Sequence, residues 1–138
     1  MRKDAMTQSE ILANLQDKLT LSHSPYSGVQ VAAAVEYMQN GETHIAYGVN
    51  VENVSYGLTV CAERSAISCA IMDGMKNISA LYVISNQSEA ISPCGACRQV
   101  VSEFIENEAA PVLCFDHSLQ KKWESTLGEL LPNRFTLE

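Results

Sequence analysis

The chain has 138 residues, a length typical of one domain, and we expect a single domain over residues 1–138. Apolar residues make up 46% of the chain and charged residues 18%, so a globular core is expected rather than disorder. The net charge of -7 argues against a nucleic-acid partner, because phosphates favour a basic surface, and leaves a small uncharged substrate open.

The sequence shows neither a membrane span nor an export signal. No run of about 18 apolar residues is present, so no spanning helix and no membrane partner are expected. The N-terminal residues 1–4, Met-Arg-Lys-Asp, lack the apolar stretch of a signal peptide. Five cysteines, two of them in a Cys-x-x-Cys, then favour metal or redox use over disulfides, and we expect a cytoplasmic protein.

Apolar periodicity predicts the elements of the first half of the chain. Helical spacing predicts an amphipathic helix over residues 7–21. Strands are predicted at residues 29–38 and 43–51, joined by a hairpin turn at Asn40-Gly41. A second helix is predicted from residue 59 or 60 to its glycine cap at Gly74.

The second half continues the alternation of strands and helices. A buried strand is predicted over Ile78–Ser85, a helix from Pro93 to about residue 105, and a strand over Pro111–Phe115. A surface turn at residues 116–122 and a short helical piece near residues 127–131 complete the chain. The order α-β-β-α-β-α-β predicts an α/β fold, with a mixed sheet and helices on both faces.

Three cysteines stand at or near predicted helix N-termini. Cys61 lies at the start of one helix, and Cys94 and Cys97 lie at the start of another. Free N–H groups and the positive end of the helix dipole favour thiolates there, and thiolates are the form that binds zinc. Three thiolates suit a zinc site with one open coordination position. If the strands before the two helices are neighbours, both helix starts open at one sheet edge, where ligands commonly bind.

Charged residues accompany both cysteine segments. Glu63 is a poor fourth ligand but can reach a water at the open position and move its proton. Its alternative role is that of an exposed first-turn glutamate that complements the helix dipole. Arg64 and Arg98 could donate hydrogen bonds to sulfur and offset the thiolate charge, or could form surface ion pairs. Cys-x-Glu followed by Pro-Cys-x-x-Cys is the known pattern of the zinc deaminases.

The remaining cysteines, histidines and the tryptophan receive no catalytic role. Cys69 and Cys114 lie in apolar settings and are predicted to be small core residues. The three histidines have no spacing that joins them to the cysteines, so none is assigned to zinc. Trp123 is predicted to lie at an edge or an interface.

At these residues the sequence resembles the cytidine deaminase family, specifically its small homotetrameric class with three cysteine ligands, over about residues 25–135. The resemblance rests on Pro25-Tyr26-Ser27, Asn50-Val51-Glu52-Asn53, Cys61-Ala62-Glu63-Arg64, Ser92-Pro93-Cys94-Gly95-Ala96-Cys97-Arg98-Gln99 and Glu129-Leu130-Leu131-Pro132. It implies a three-layer α/β/α sandwich with a mixed, roughly five-stranded sheet. It also implies one Zn²⁺ per subunit and a homotetramer whose active sites are completed across subunits.

The activity that the resemblance implies is zinc-dependent hydrolytic deamination of cytidine and deoxycytidine, with release of ammonia, in pyrimidine salvage. Cys61, Cys94 and Cys97 would hold the zinc. Glu63 would move protons between water, substrate and leaving group, and Arg64 would compensate the third thiolate.

The resemblance also assigns residues to substrate binding. Asn50 and Glu52 correspond to residues that hold the ribose 3′-hydroxyl, a pairing that suits an amide and a carboxylate. The N–H of Ala62 would bind the pyrimidine 2-carbonyl, and the carbonyl of Ser92 would receive the leaving ammonia.

Three further positions correspond to residues around the base. Tyr56 and Phe135 correspond to residues that reach the site of a neighbouring subunit. Val29 stands where the family commonly has a phenylalanine that stacks on the pyrimidine, and the contact it makes is weaker by about 1 kcal/mol. Either Phe135 or a neighbouring subunit compensates, or the preferred substrate is not plain cytidine.

Two alternatives remain open at this point. Within the same chemistry, the substrate could be a modified cytosine nucleoside or an antibiotic such as blasticidin S. Asn50 together with Glu52 favours a ribose, whereas Val29 leaves the alternative open. In a different class, the Cys-x-x-Cys could be a thiol redox site or a structural zinc site. A proton-shuttle role for Glu63 would exclude both of these.

Overall fold

Residues 6–137, which the computed structural model describes, form one sheet with helices on both faces. The helices are α1 (Gln8–Lys18), α2 (Ala62–Met72), α3 (Gly95–Ser102) and α4 (Leu127–Leu130). The strands are β1 (Val31–Gln39), β2 (Glu42–Val49), β3 (Ile78–Ser85), β4 (Pro111–Phe115) and β5 (Lys122–Thr126). None of the helices in this range has the length and apolar character that a bilayer span requires.

The sheet is mixed, with the strand order β2-β1-β3-β4-β5. β1 is antiparallel to both of its neighbours, β3 is parallel to β4, and β5 is antiparallel to β4. The strands before the two cysteine-bearing helices are not neighbours, because β1 lies between β2 and β3. Since β1 is antiparallel to both, β2 and β3 nevertheless run in the same direction, and α2 and α3 both start beyond the same edge of the sheet.

Alternation along the central strands builds two cores. Ala32 and Ala34 of β1 face α1, and Ala33 and Val35 face the opposite layer. The core on the α1 side contains Ile11, Leu12, Leu15, Leu19, Ala80, Tyr82, Ile84, Leu113 and Phe115. The core on the other side joins the sheet to α2, α3 and α4. The predicted α/β/α sandwich with five strands is therefore confirmed.

Several elements lie where the apolar pattern placed them. β3 and β4 have the predicted bounds. α1 begins after Thr7, whose Oγ1 accepts a hydrogen bond from the Glu10 N–H at 3.2 Å, and a 3₁₀ turn follows its last residue. The β1–β2 hairpin turns at Asn40 and Gly41, both with positive φ (54° and 77°), as an Asn-Gly turn requires.

β5 is the strand that the sequence did not predict. Its residues, Lys122–Thr126, were expected to be partly a surface turn, because their charged and polar side chains lack an apolar stripe. Within residues 6–137 they pair only with β4, so β5 is an edge strand on which charged residues are well tolerated. Trp123 lies opposite Cys114 on this strand, which confirms its predicted edge position.

Two helix boundaries differ from the prediction. α2 begins at Ala62 rather than at residue 59 or 60, because Val60 exchanges two backbone hydrogen bonds of 2.9 Å with Val51 and so stays extended. α3 is shorter than predicted and begins at Gly95, after Pro93. The predicted core position of Cys69 is wrong. Ala66 and Ala70 point inward from α2, which places Cys69 on its exposed face, whereas Cys114 is buried as predicted.

Candidate metal centre and active site

The three predicted zinc ligands converge at the starts of α2 and α3. Cys61 and Cys94 are the N-cap residues of these helices, with extended backbone angles, and neither helix has a side-chain cap. Cys97 lies one turn further along α3 and is buried. Because Cys61 and Cys94 occupy the positions that usually hold a capping oxygen, their sulfur atoms lie beside free helix N–H groups.

The spacing of the thiols fits one tetrahedral metal ion. All three Sγ atoms lie within 4.8 Å of one another, and the Cys61 and Cys94 Sγ atoms are 3.9 Å apart. Tetrahedral Zn–S bonds of about 2.3 Å place sulfur atoms about 3.8 Å apart. The residues present therefore fit a zinc ion with three sulfur ligands and one position left for a small molecule.

The electrostatics of the cluster favour a thiolate at Cys61. Hydrogen bonds from the Cys97 thiol and from the Arg64 guanidinium lower the pKa of Cys61 to about 5. The same hydrogen bond to Cys61 raises the pKa of the Cys97 thiol, so at least one sulfur of the pair is anionic at neutral pH. A thiolate is the form that a zinc ion binds.

Arg64 contacts this cluster directly. Its Nη2 atom donates to the Cys61 Sγ at 3.4 Å and to the Thr59 carbonyl at 3.3 Å. Hydrogen bonds to the thiolate raise the pKa of the guanidinium above its usual value, which keeps the positive charge in place. A fixed positive charge beside Cys61 offsets part of the negative charge that three thiolates bring to one site.

Arg98 does not reach sulfur in the described part of the chain. It donates to the carbonyl oxygens of Pro93 at 2.7 Å and Leu130 at 3.1 Å, and to Ser92 Oγ at 3.3 Å. Neither alternative given for Arg98, a hydrogen bond to sulfur or a surface ion pair, is found within residues 6–137. Its side chain instead ties the loop before α3 to α4.

Glu63 lies in the first turn of α2, beside the cysteine cluster, and is 5% exposed. Burial raises the pKa of its carboxyl above the usual value, and the charge of Cys61 adds to this rise. The exposed, dipole-complementing role is therefore excluded. A buried carboxyl with a raised pKa holds a proton more readily than an exposed one, which suits a general acid and base.

A glycine on β2 sets the position of α2. A Cβ atom at Gly48 would lie 2.2 Å from the Ala66 nitrogen and 2.6 Å from the Ala62 carbonyl oxygen. Real Cβ atoms do not approach backbone atoms this closely, so only glycine lets the first turns of α2 pack directly on β2. The sequence analysis missed this role, because the contact joins residues that are more than ten positions apart.

Asn50 is buried and already makes three hydrogen bonds. Its Nδ2 donates to the Val29 carbonyl at 2.8 Å, while its Oδ1 accepts from the Val31 N–H at 2.9 Å and from the Ser22 hydroxyl. One N–H of the side-chain amide remains for a ligand. The sequence analysis assigned no role to Ser22.

Glu52 accepts three hydrogen bonds from the segment around Tyr26. Its Oε1 accepts the N–H groups of Tyr26 at 3.0 Å and Ser27 at 3.2 Å, and its Oε2 accepts the Ser27 hydroxyl. The hydroxyl contact is the first cause of a lowered pKa at Glu52. One lone pair of Oε2 is left over.

A groove of about 440 Å³ lies beside Glu52 and is lined by Tyr26, Ser27, Glu52, Tyr56 and Thr59. The Tyr26 and Tyr56 rings meet edge to face across it, 6.1 Å apart. We call this the Glu52 groove. It places Tyr56 beside Glu52 of the same chain, whereas the resemblance implies that Tyr56 reaches the site of a neighbouring subunit.

The other predicted substrate residues lie on different parts of the chain. Ala62 is the first residue of α2, so its N–H has no acceptor within the helix, and Ser92 precedes the Pro93 turn. Val29 is half-buried. Phe135 lines a separate pocket with Gln99, Ser102, Glu103, Ile105, Arg134, Thr136 and Leu137, and none of the three cysteines lines that pocket.

Comparison with known proteins identifies the family. Residues 6–110 match the model of the cytidine and deoxycytidylate deaminase zinc-binding region. The chain belongs to this family. Together with the cysteine cluster at α2 and α3, membership makes it a zinc hydrolase of the deaminase superfamily, with zinc as its cofactor. The redox and structural-zinc alternatives are not favoured.

Individual relatives agree with this membership. A cytidine deaminase of Halalkalibacterium halodurans is 41% identical over 118 residues, which cover 85% of this chain and 85% of the relative. A probable cytidine deaminase of Dictyostelium discoideum is 39% identical over 89% of this chain and 80% of its own length. The crystal structure of cytidine deaminase from Burkholderia pseudomallei superposes with a TM-score of 0.82 at 32% identity, covering 94% of this chain and all of that chain.

Proposed function

We propose that this deaminase family member hydrolyses cytidine and deoxycytidine to uridine and deoxyuridine and releases ammonia, a reaction of pyrimidine salvage. The observation that carries the proposal is the buried carboxyl of Glu63 beside three convergent thiols. This arrangement supplies metal ligands, one open coordination position and a proton carrier, which hydrolytic deamination requires together.

Cys61, Cys94 and Cys97 hold the zinc ion, which when bound acts as a Lewis acid and makes water a nucleophile at neutral pH. Glu63 accepts a proton from the attacking water and transfers it to N3 of the cytosine ring. A second proton passes through Glu63 to the 4-amino group, which leaves as ammonia when its bond to C4 breaks. One water is consumed, and the oxygen stays on C4 of the uracil product.

Backbone groups orient the base in this proposal. The Ala62 N–H, free at the start of α2, donates to the pyrimidine 2-carbonyl, where the helix dipole also favours a partial negative charge. The Ser92 carbonyl, just before the Pro93 turn, accepts from the leaving ammonia. Val29 covers one face of the ring with an aliphatic side chain.

The hydrogen bonds of Asn50 and Glu52 support recognition of one sugar hydroxyl. Asn50 has one free N–H donor, and Oε2 of Glu52 has one free lone pair. A single hydroxyl accepts once and donates once, so the 3′-hydroxyl of a ribose satisfies both groups. The 2′-hydroxyl has no part in this pairing, which is why both cytidine and deoxycytidine are proposed substrates.

The proposal includes a homotetramer whose sites are completed by Tyr56 and Phe135 of neighbouring subunits. Both side chains are largely exposed, at 75% and 67%, and Val54 and Leu58 near Tyr56 are exposed at 75% and 67%. So much exposed apolar surface in one loop is typical of a protein interface. Light scattering tests the assembly: we expect four times the 15.1 kDa of the chain, and a monomer would refute this part.

A cytoplasmic location is also part of the proposal. None of the five cysteines forms a disulfide in the structure, which suits a reducing compartment. The organisation of residues 1–138 as a single domain likewise stays a prediction.

The experiment that tests the function compares substrates on purified protein of known zinc content. We expect one zinc per chain and turnover of cytidine and deoxycytidine at similar kcat/KM, followed as ammonia release. Blasticidin S, measured in parallel, serves as the matched alternative with the same cytosine group.

Three outcomes would contradict the proposal. Turnover of blasticidin S without turnover of either nucleoside would show that the proposed substrate is wrong and that the deamination chemistry is right. If the protein holds zinc and deaminates none of the three compounds, the structural-zinc alternative would be supported. A chain without zinc, whose activity depends on a reversible Cys94–Cys97 disulfide, would establish the redox reading.

A further inference from the structure

Ser27 lines the Glu52 groove and contacts both Glu52 and Val29. Its hydroxyl donates to Oε2 of Glu52 and at the same time accepts the Val29 N–H at 3.0 Å. Its own backbone N–H donates to the other carboxylate oxygen at 3.2 Å. Ser27 therefore contacts both oxygens of Glu52 and also fixes the backbone at the residue that covers the base.

The orientation of Glu52 depends on these contacts. Within residues 6–137 no lysine, arginine or histidine forms an ion pair with its carboxylate. Oε1 is held by two backbone N–H groups, whereas the only group of the described chain that donates to Oε2 is the Ser27 hydroxyl. The free lone pair therefore lies on the oxygen that Ser27 orients.

We propose that Ser27 is a positioning residue that directs the free lone pair of Glu52 toward the ribose 3′-hydroxyl. The inference rests on the proposed nucleoside deaminase function and deepens it. The hydroxyl occupies one of the two lone pairs of Oε2, so the other points in a defined direction along the groove. Without the hydroxyl, the carboxylate can turn about its side-chain bonds and the sugar loses a fixed acceptor.

A purely structural role for Ser27 predicts a different effect on the substrates. If the Ser27 hydroxyl only stabilised the turn at residues 26–29, its removal would affect every substrate alike. A residue that acts through Glu52 affects only substrates that carry a 3′-hydroxyl. The coupling between the substitution and this hydroxyl therefore separates the two roles.

The experiment measures cytidine and 3′-deoxycytidine with the parent protein, Ser27→Ala, Ser27→Thr and Ser88→Ala. Threonine retains the hydroxyl, so it is the conservative rescue. Ser88 is exposed and makes no side-chain hydrogen bond within the described range, so Ser88→Ala is the matched control. Melting temperatures of the zinc-loaded proteins show whether each variant is folded.

We expect Ser27→Ala to raise KM for cytidine about tenfold with little change in kcat, because it weakens a hydrogen bond to a charged group that forms on binding. The preference for cytidine over 3′-deoxycytidine should fall by the same factor. Ser27→Thr and Ser88→Ala should keep the preference of the parent protein.

Several results would overturn the inference. An unchanged preference in Ser27→Ala, an equal loss on both substrates, or a loss in Ser27→Thr as large as in Ser27→Ala would each refute the positioning role while leaving the deaminase function in place. Absence of cytidine turnover by the parent protein would refute the proposed function and, with it, this inference.

Discussion

The two regions of the candidate site have different supports. The thiol cluster lies on the first turns of α2 and α3, whereas the Glu52 groove lies on loops. At the cluster, Cys61 and Cys94 cap helices whose positions are fixed by buried contacts to the sheet. At the groove, Glu52 and Asn50 are held by serine hydroxyls and backbone N–H groups. The groups proposed to react are thus fixed by packing, and the groups proposed to bind the sugar are fixed by polar hydrogen bonds.

This difference matters because substitutions disturb the two kinds of support in different ways. A buried helix start moves only if the core around it repacks, and such repacking lowers the free energy of unfolding. A loop held by hydrogen bonds to a carboxylate can loosen locally and affects mainly binding. We therefore expect substitutions at the cluster to reduce kcat and substitutions at the groove to raise KM.

The largest expected effect is that of Glu63→Gln, which keeps the size of the side chain but removes the group that carries the proton. We expect kcat to fall by about 10²–10⁴-fold while zinc content and fold are retained. Metal analysis and ammonia release measure both quantities. Glu42→Gln, an exposed glutamate on β2, is the control and should behave as the parent protein. Full activity of Glu63→Gln would refute the proton-carrier role.

Gly48→Ala tests whether packing holds the cluster side. The added methyl group would overlap backbone atoms of α2, so we expect the free energy of unfolding to fall by about 1–3 kcal/mol and kcat to decrease as Glu63 moves. Denaturant unfolding and initial rates measure the two effects.

Gly57→Ala is the control for unfolding, because nothing lies within 4 Å of the position its Cβ would take. Equal stability of the two glycine variants would contradict the packing argument. Reduced stability with an unchanged kcat would show that α2 adjusts without displacing Glu63.

The smallest expected effect is at Asp116, a loop carboxylate that, like Glu52, accepts hydrogen bonds from a serine hydroxyl and from backbone N–H groups. Asp116 accepts hydrogen bonds from the Ser118 hydroxyl and the Lys121 N–H, and these lower the pKa of Asp116 to about 2. Its unfolded pKa is about 3.9, so the unfolded chain binds the proton more readily. The stabilisation is therefore complete above about pH 4 and is lost as the pH falls toward 2.

Asp116→Asn should consequently remove part of the difference in free energy of unfolding between pH 6 and pH 3. Denaturant titrations at both pH values measure this difference, with Asp17→Asn, an exposed aspartate on α1, as the control. Loss of zinc in acid affects all three proteins and cancels in the comparison. An unchanged pH dependence in Asp116→Asn would refute this role of the loop carboxylate.

The sequence by itself determined the elements that carry a strong apolar pattern and the candidate metal ligands. β3 and β4 were predicted with their bounds, because both are short, buried and bounded by polar loops. The cysteines were singled out because they stand at predicted helix starts, and together with Glu63 they match the known Cys-x-Glu and Pro-Cys-x-x-Cys pattern of the zinc deaminases. The substrate assignments came from a family resemblance rather than from any physical pattern.

Only the tertiary structure decided what depends on distant contacts. The charged edge strand β5 exists because β4 offers a pairing partner, and the exposure of Cys69 follows from which face of α2 packs on the sheet. Gly48 meets α2 and Ser27 meets Glu52 across long stretches of chain. Apolar spacing records only what each element buries, whereas hydrogen bonds and close backbone contacts between elements depend on how the whole sheet is assembled.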